Sequence, residues 1–263
     1  PEPDDPSINV HHERLGCWLV IIRSPFFMGA PMPGFVVPEP HETLEPDLPD
    51  GTKQARMAVL YRALADRVAS EQRPVVYAGD CVSILGVLAG LEQRDVHPTL
   101  VFFDAHGDFN TWDTTPSGFL GGMPLAMVTG RGEQTIVDGA SLTPIPDGRV
   151  VLVDGRDLDP CEDELIEGST ITVASVADVL DAVPPQGPLY VHVDGDVVDP
   201  SEMPAMNYPA PGGPSLSEVA DAVAGLEATG RVVAFSISSW NPDLPGADIA
   251  AAAMHRLALP FTA

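Results

Sequence analysis

Cysteine is scarce in this chain. Cys17, Cys81 and Cys161 are the only three among 263 residues, too few and too odd in number for a disulfide framework, so a reduced cytosol is the expected compartment. Basic residues are scarce as well: 13 Lys and Arg stand against 38 Asp and Glu, a formal net charge of -25. That balance argues against nucleic acid and against anionic membrane surfaces as partners. No apolar run approaches the ~20 residues a bilayer-spanning helix needs. No series of charged, apolar and small residues marks a signal peptide. What remains is enough chain to bury a sizeable core. No repeat or clear linker divides it, so a single domain over residues 1–263 is expected, with the polar, Pro-rich residues 1–14 as a mobile arm.

Short apolar runs alternate with amphipathic stretches. Trp18 to Ile22, Val75 to Ala78, Thr99 to Phe103, Val150 to Val153, Ile171 to Ala174, Leu189 to Val193 and Val232 to Ile237 read as strands. Thr52 is expected to cap a helix running to about Ser70, with Ala55, Val59, Leu60, Leu64 and Val68 facing inward. Further helices are expected after Val82, near Met123, after Asp159, after Ser175, after Ser215 and from Ala247. Pro and Gly crowd the segment from Ser24 to Asp50, which reads as a long loop. Strand–helix alternation predicts an α/β fold, a mostly parallel sheet with helices on both faces.

Chemistry concentrates where two strands end. After Thr99 to Phe103, the side chains of Asp104, His106 and Asp108 alternate, and an extended backbone puts all three on one side. Gly107 is expected to let the chain bend as it leaves the strand. After Leu189 to Val193, Asp194 and Asp196 share a side in the same way. Buried carboxylates repel one another and are costly to desolvate unless a cation compensates. A donor set of one His and four Asp suits Mn²⁺ or Mg²⁺ better than zinc.

These segments resemble the ureohydrolase family of arginases and agmatinases. Its signatures are matched by Ala78-Gly79-Asp80-Cys81, by Asp104 to Asn110 and by Asp194 to Pro200. The resemblance implies a three-layer fold and a binuclear manganese site. Asp104 and Asp194 would bridge the ions, His106 and Asp196 would complete one site, and Cys81 and Asp108 the other. Asp108 would also serve catalysis, through a hydrogen bond to the attacking hydroxide. The segment Asn110 to Gly118 resembles an arginase loop that holds an amino acid's carboxylate, a role that would fall to Asn110, Thr115 and Ser117. Asp159 and Glu162 would receive the α-amino group. The implied partner is a small guanidino amino acid, with self-assembly left open.

Three positions depart from the family pattern. Cys81 replaces a ligand His, Gly121 falls where arginases carry a His, and Ser239 falls where a Glu pairs with the guanidinium. A thiolate should hold manganese more weakly than imidazole does. Without the Glu, a cationic guanidinium is left unpaired, and a less basic N-hydroxyguanidine suits the pocket better. The implied activity is hydrolysis of Nω-hydroxy-L-arginine to L-ornithine and hydroxyurea. The alternatives are an arginase or another guanidino-acid hydrolase, and a non-catalytic pseudoenzyme.

Overall fold

The computed structural model describes residues 19–262. The expected arm at 1–14, Cys17 and the expected strand start at Trp18 lie outside the described residues. The strands are β1 (Leu19–Ser24), β2 (Phe26–Phe27), β3 (Ala30–Pro31), β4 (Glu42–Thr43), β5 (Arg73–Ala78), β6 (Thr99–Asp104), β7 (Val150–Asp154), β8 (Thr172–Ala174), β9 (Leu189–Asp194) and β10 (Val232–Ser238). Eight of them form one sheet in the order β4-β1-β5-β10-β9-β6-β7-β8, with every pairing parallel. β2 and β3 form a separate antiparallel hairpin.

Period-two alternation builds two cores, one on each face of the sheet. Leu100 and Phe102 of β6 pack with Leu60, Leu64, Leu85 and Leu88 from the helices Lys53–Ala69 and Ile84–Glu92. Val101 and Phe103 point the other way, into a core shared with Val219, Val223, Met254 and Leu257 from Leu216–Ala228 and Ala247–Thr262. Both faces are covered, as a parallel sheet of near-continuous apolar strands requires. No described helix is long and apolar enough to cross a membrane.

Register fixes where the polar strand ends fall. Ser238 pairs with both Ala78 and Asp194, and Phe103 pairs with Val193. The ends of β5, β10, β9 and β6 therefore lie side by side at the carboxyl edge, where open α/β sheets hold ligands.

Several local expectations are corrected. Thr52 caps Lys53–Ala69, accepting from Ala55 N at 3.2 Å, but Val59 is exposed and Met57 and Tyr61 are buried instead. The long loop carries the β2–β3 hairpin and the edge strand β4, elements too short for a pattern to signal. Asp159 is not a helix cap. The helix Glu162–Glu167 starts behind Cys161, at φ 70, and the Glu162 side chain instead accepts the Asp159 N–H. Ser175 begins a turn that leads into the short helix Val179–Ala182. Ser215 forms a full capping box with Glu218, as its sequence signature requires.

Candidate active site

Four adjacent strands supply the site. β5 runs out into Asp80 and Cys81, β6 into Asp104, His106 and Asp108, β9 into Asp194 and Asp196, and β10 into Ser238 and Ser239. All eleven residues singled out in the sequence line one cavity of about 270 Å³. Cys81, Asp104 and Asp108 offer donor atoms all within 4.8 Å of one another, and so do Asp104, His106 and Asp196. Asp104 belongs to both groups. His106 Nδ1 stands 3.2 Å from Asp104 Oδ1 and 3.2 Å from Asp196 Oδ2.

Asp194 joins neither group. Its Oδ1 accepts the Asp196 N–H at 3.2 Å. Its Oδ2 accepts the Ser238 hydroxyl at 3.2 Å and the Ser239 hydroxyl as well. Ser239 sits at φ +88, a strained setting for a serine, and turns its hydroxyl onto this carboxylate. A buried chain continues below. Ser238 Oγ lies 3.3 Å from His192 Nε2, and His192 Nδ1 lies 2.6 Å from Ser236 Oγ. His192, two residues before Asp194 on β9, shares its face. It is a neutral ring whose pKa burial pushes down to about 3.

Among the described residues no lysine or arginine lines the cavity, although eight carboxylates do. Asp104, Asp108, Asp194 and Asp196 are all buried. Burial pushes each of their pKa values up, and neighbouring carboxylates add to it, Asp104 acting on Asp108 and Asp196 acting on Asp194. Asp196 reaches about 6. Burial opposes a charge on His106, but Asp104 and Asp196 outweigh it and raise the imidazole to about 12. Burial, then the surrounding carboxylates, push the Cys81 thiol well up, and its Sγ–H points at the Gly121 carbonyl at 3.4 Å. Asp108 Oδ2 is buried without a partner. Four buried carboxylates with His106 as their basic neighbour, and a buried oxygen left unpaired, fit divalent cations. The oxygen-rich donor set matches manganese or magnesium.

The surroundings hold these groups in place, and some of the holders escaped the sequence reading. Asp80 Oδ2 accepts the Met28 N–H at 2.8 Å, and Oδ1 accepts the Tyr61 hydroxyl. Burial still raises the Asp80 pKa to about 6. Arg156 donates to the carbonyls of Asp196 at 3.0 Å, Val197 at 2.9 Å and Ala210 at 3.1 Å, and it pairs with Asp154. That clamp ties the Asp196 loop to the segment carrying Asn207 and Tyr208. Nothing in the local sequence pattern singles out Arg156; its fixed fork of donors was the available signal.

Gly107 serves a different end from the one expected. Its φ is not positive, and a Cβ there would stand 2.6 Å from the Glu162 carboxyl carbon. The glycine makes room for Glu162. That side chain accepts Phe109 N at 2.8 Å and Asp159 N at 3.0 Å, so both its oxygens brace the wall they line. Asn110 Nδ2 donates to Asp159 Oδ2 at 3.0 Å. Thr115 and Ser117 sit 3.3 Å apart at the mouth and accept the N–H groups of Gly118 and Phe119. Trp240 lies in the core, stacked on Phe35 at 3.9 Å.

The cavity, its carboxylate edge and the three-layer sheet define one protein class, and sequence comparison agrees. Residues 41–262 match the arginase family, and the chain belongs to it. It is 33% identical to an N(omega)-hydroxy-L-arginine amidinohydrolase from Streptomyces lavendulae over 68% of this chain and 66% of that protein. It is 30% identical to an arginase from Bacillus subtilis over 68% of this chain and 65% of that one. The chain thus spans just under two thirds of the length of these relatives. The crystal structure of arginase from Bacillus subtilis superposes with a TM-score of 0.76 at 25% identity, covering 92% of this chain and 98% of that one.

Proposed function

We propose that this protein is a manganese-dependent amidinohydrolase that cleaves Nω-hydroxy-L-arginine into L-ornithine and hydroxyurea. The observation carrying this reading is Ser239. It stands at the cavity where the family has a guanidinium-pairing Glu, and its hydroxyl is taken up by Asp194. A neutral N-hydroxyguanidine needs no such partner, whereas a cation does. The name of the Streptomyces relative points to the same substrate.

Cys81, Asp104, Asp108, His106, Asp194 and Asp196 would hold two manganese ions, with the Cys81 side the weaker. Bound divalent ions supply a hydroxide-like nucleophile at neutral pH and neutralise developing negative charge. Asp108 Oδ2, buried without a hydrogen-bond partner, is placed to accept the proton of the attacking water. Oxygen bonds to the guanidino carbon, the bond from that carbon to Nδ breaks, and the proton passes to the leaving ornithine amine. Asn110, Thr115 and Ser117 take the substrate carboxylate, and Asp159 with Glu162 the α-amino group.

A panel of guanidino compounds with manganese-loaded protein tests the assignment, with ornithine, urea and hydroxyurea measured separately. Hydroxyarginine is expected to exceed arginine in kcat/KM by roughly tenfold or more, the scale of one unpaired-charge penalty. Equal or better arginine turnover overturns it. Cys81→His is expected to raise manganese content towards two per chain by elemental analysis and to shift the preference towards arginine. Unchanged metal content would count against Cys81 as a ligand. Absence of manganese under every loading condition would favour the pseudoenzyme.

A further inference from the structure

The cavity has one aromatic wall, and it stands beside the Cys81 donor cluster. Phe119 forms its centre. Its ring lies 4.6 Å from the Tyr208 ring and 6.4 Å from the Phe27 ring, so three separate segments contribute. All three rings line the cavity. Gly121 makes the seat. A Cβ there would stand 2.3 Å from Phe119 Cε1 and 2.5 Å from Cζ, closer than any side chain permits. The ring occupies the volume that a side chain at 121 would fill.

The backbone beneath the ring is pinned. Phe119 N donates to Ser117 Oγ at 3.1 Å, Gly122 N to Phe119 O at 3.2 Å and Asn110 N to Gly122 O at 3.2 Å. The Gly121 carbonyl faces Cys81 Sγ at 3.4 Å. One end of the Phe119–Gly122 turn therefore touches the donor cluster, and the other carries the ring over the cavity. A planar, delocalised group at the donor cluster would meet an aromatic face, a contact worth roughly a few-fold to tenfold in affinity. A bulky substituent on that group would meet the ring as a barrier.

We propose that Phe119, seated over Gly121, is the specificity-determining wall of this pocket: it packs against the flat guanidino group and limits what that group can carry. The proposal rests on the amidinohydrolase reading and names the residue that selects among guanidino substrates.

Five proteins test it: wild type, Phe119→Ala, Phe119→Leu, Gly121→Ala and the Phe119→Ala, Gly121→Ala double variant. On the manganese-loaded proteins, Nω-hydroxy-L-arginine and an analogue with a propoxy group in place of the hydroxyl are compared by KM from product release, or by calorimetric Kd where no product forms; ornithine, which lacks the guanidino group, is titrated by calorimetry. Phe119→Ala is expected to weaken hydroxyarginine by about tenfold, to tighten the propoxy analogue, and to leave ornithine within about twofold; Phe119→Leu should fall between. Gly121→Ala should displace the ring and reproduce the change, and should add nothing in a Phe119→Ala background. An unchanged ratio between the two guanidino ligands overturns the proposal, as does equal weakening of ornithine in both Phe119 variants. Wild type that binds hydroxyarginine without hydrolysing it overturns the hydrolase reading alone, and the ratio still decides the wall. Wild type that binds neither guanidino ligand overturns both.

Discussion

Asp108→Asn is expected to lower kcat/KM for the preferred guanidino substrate by roughly three orders of magnitude, within the range that general acid–base groups supply. Asparagine is the informative replacement because of the backbone. Asp108 sits at φ 49, a left-handed setting that Asn tolerates far better than Ala. Its carbonyl accepts the Leu125 N–H at 2.9 Å and the Ala126 N–H at 3.3 Å, anchoring the start of the helix Pro124–Val128. Those bonds survive the change. What is lost is one carboxylate oxygen that no protein group satisfies. Without metal, removing a charge that burial and Asp104 disfavour should leave the melting temperature unchanged or raise it. A variant with normal melting, reduced manganese and lost turnover would separate chemistry from folding. A variant retaining a tenth or more of wild-type kcat/KM would remove Asp108 from the catalytic role proposed for it.

The readable part of this molecule was set by periodicity. Asp104, His106 and Asp108 alternate behind an apolar run, and the sheet register places them beside Asp194. Which strand residues face which core was not legible in the same way, because both faces of a parallel sheet are covered and its strands read as continuous apolar runs. The supports were harder to see. Arg156 clamps three carbonyls whose positions depend on a loop fold, and Ser238 reaches Asp194 only because β10 lies next to β9. Glu162 and Gly107 are 55 residues apart and touch because of tertiary packing alone. Likewise, nothing in the local pattern around Gly121 announces that the Phe119 ring fills its place. Asp194 was expected to bridge two ions, yet its oxygens already hold two serine hydroxyls and a backbone N–H. A cation would share that carboxylate with Ser238 and Ser239.

Stability of the metal-free protein is expected to fall as pH rises from 5 to 7.5, and manganese is expected to restore it. Burial raises the folded-state pKa of Asp80 and Asp196 to about 6 and shifts Asp104, Asp108 and Asp194 the same way. A carboxyl whose pKa is higher folded than unfolded binds more protons in the folded state. Stability then declines with pH across the window from ~4 to the folded value. His106, raised to about 12, extends the decline above its unfolded value of ~6.5. His192 opposes it: a ring held near 3 makes folding more favourable as pH rises towards ~6.5. That is one group against several, and the net charge of -25 adds self-repulsion in the same direction as the carboxylates. Cations bind the deprotonated carboxylates, so manganese should bind more tightly as pH rises. Saturation at about a hundred times Kd contributes roughly 2.7 kcal/mol, or on the order of 5–10 °C in Tm for a chain of this size. Melting curves at pH 5.5 and 7.5, with and without manganese, should therefore show a metal increment that is small at the lower pH and several degrees at the higher. A Tm that ignores manganese at both pH values would mean that the buried carboxylates are compensated from within the chain.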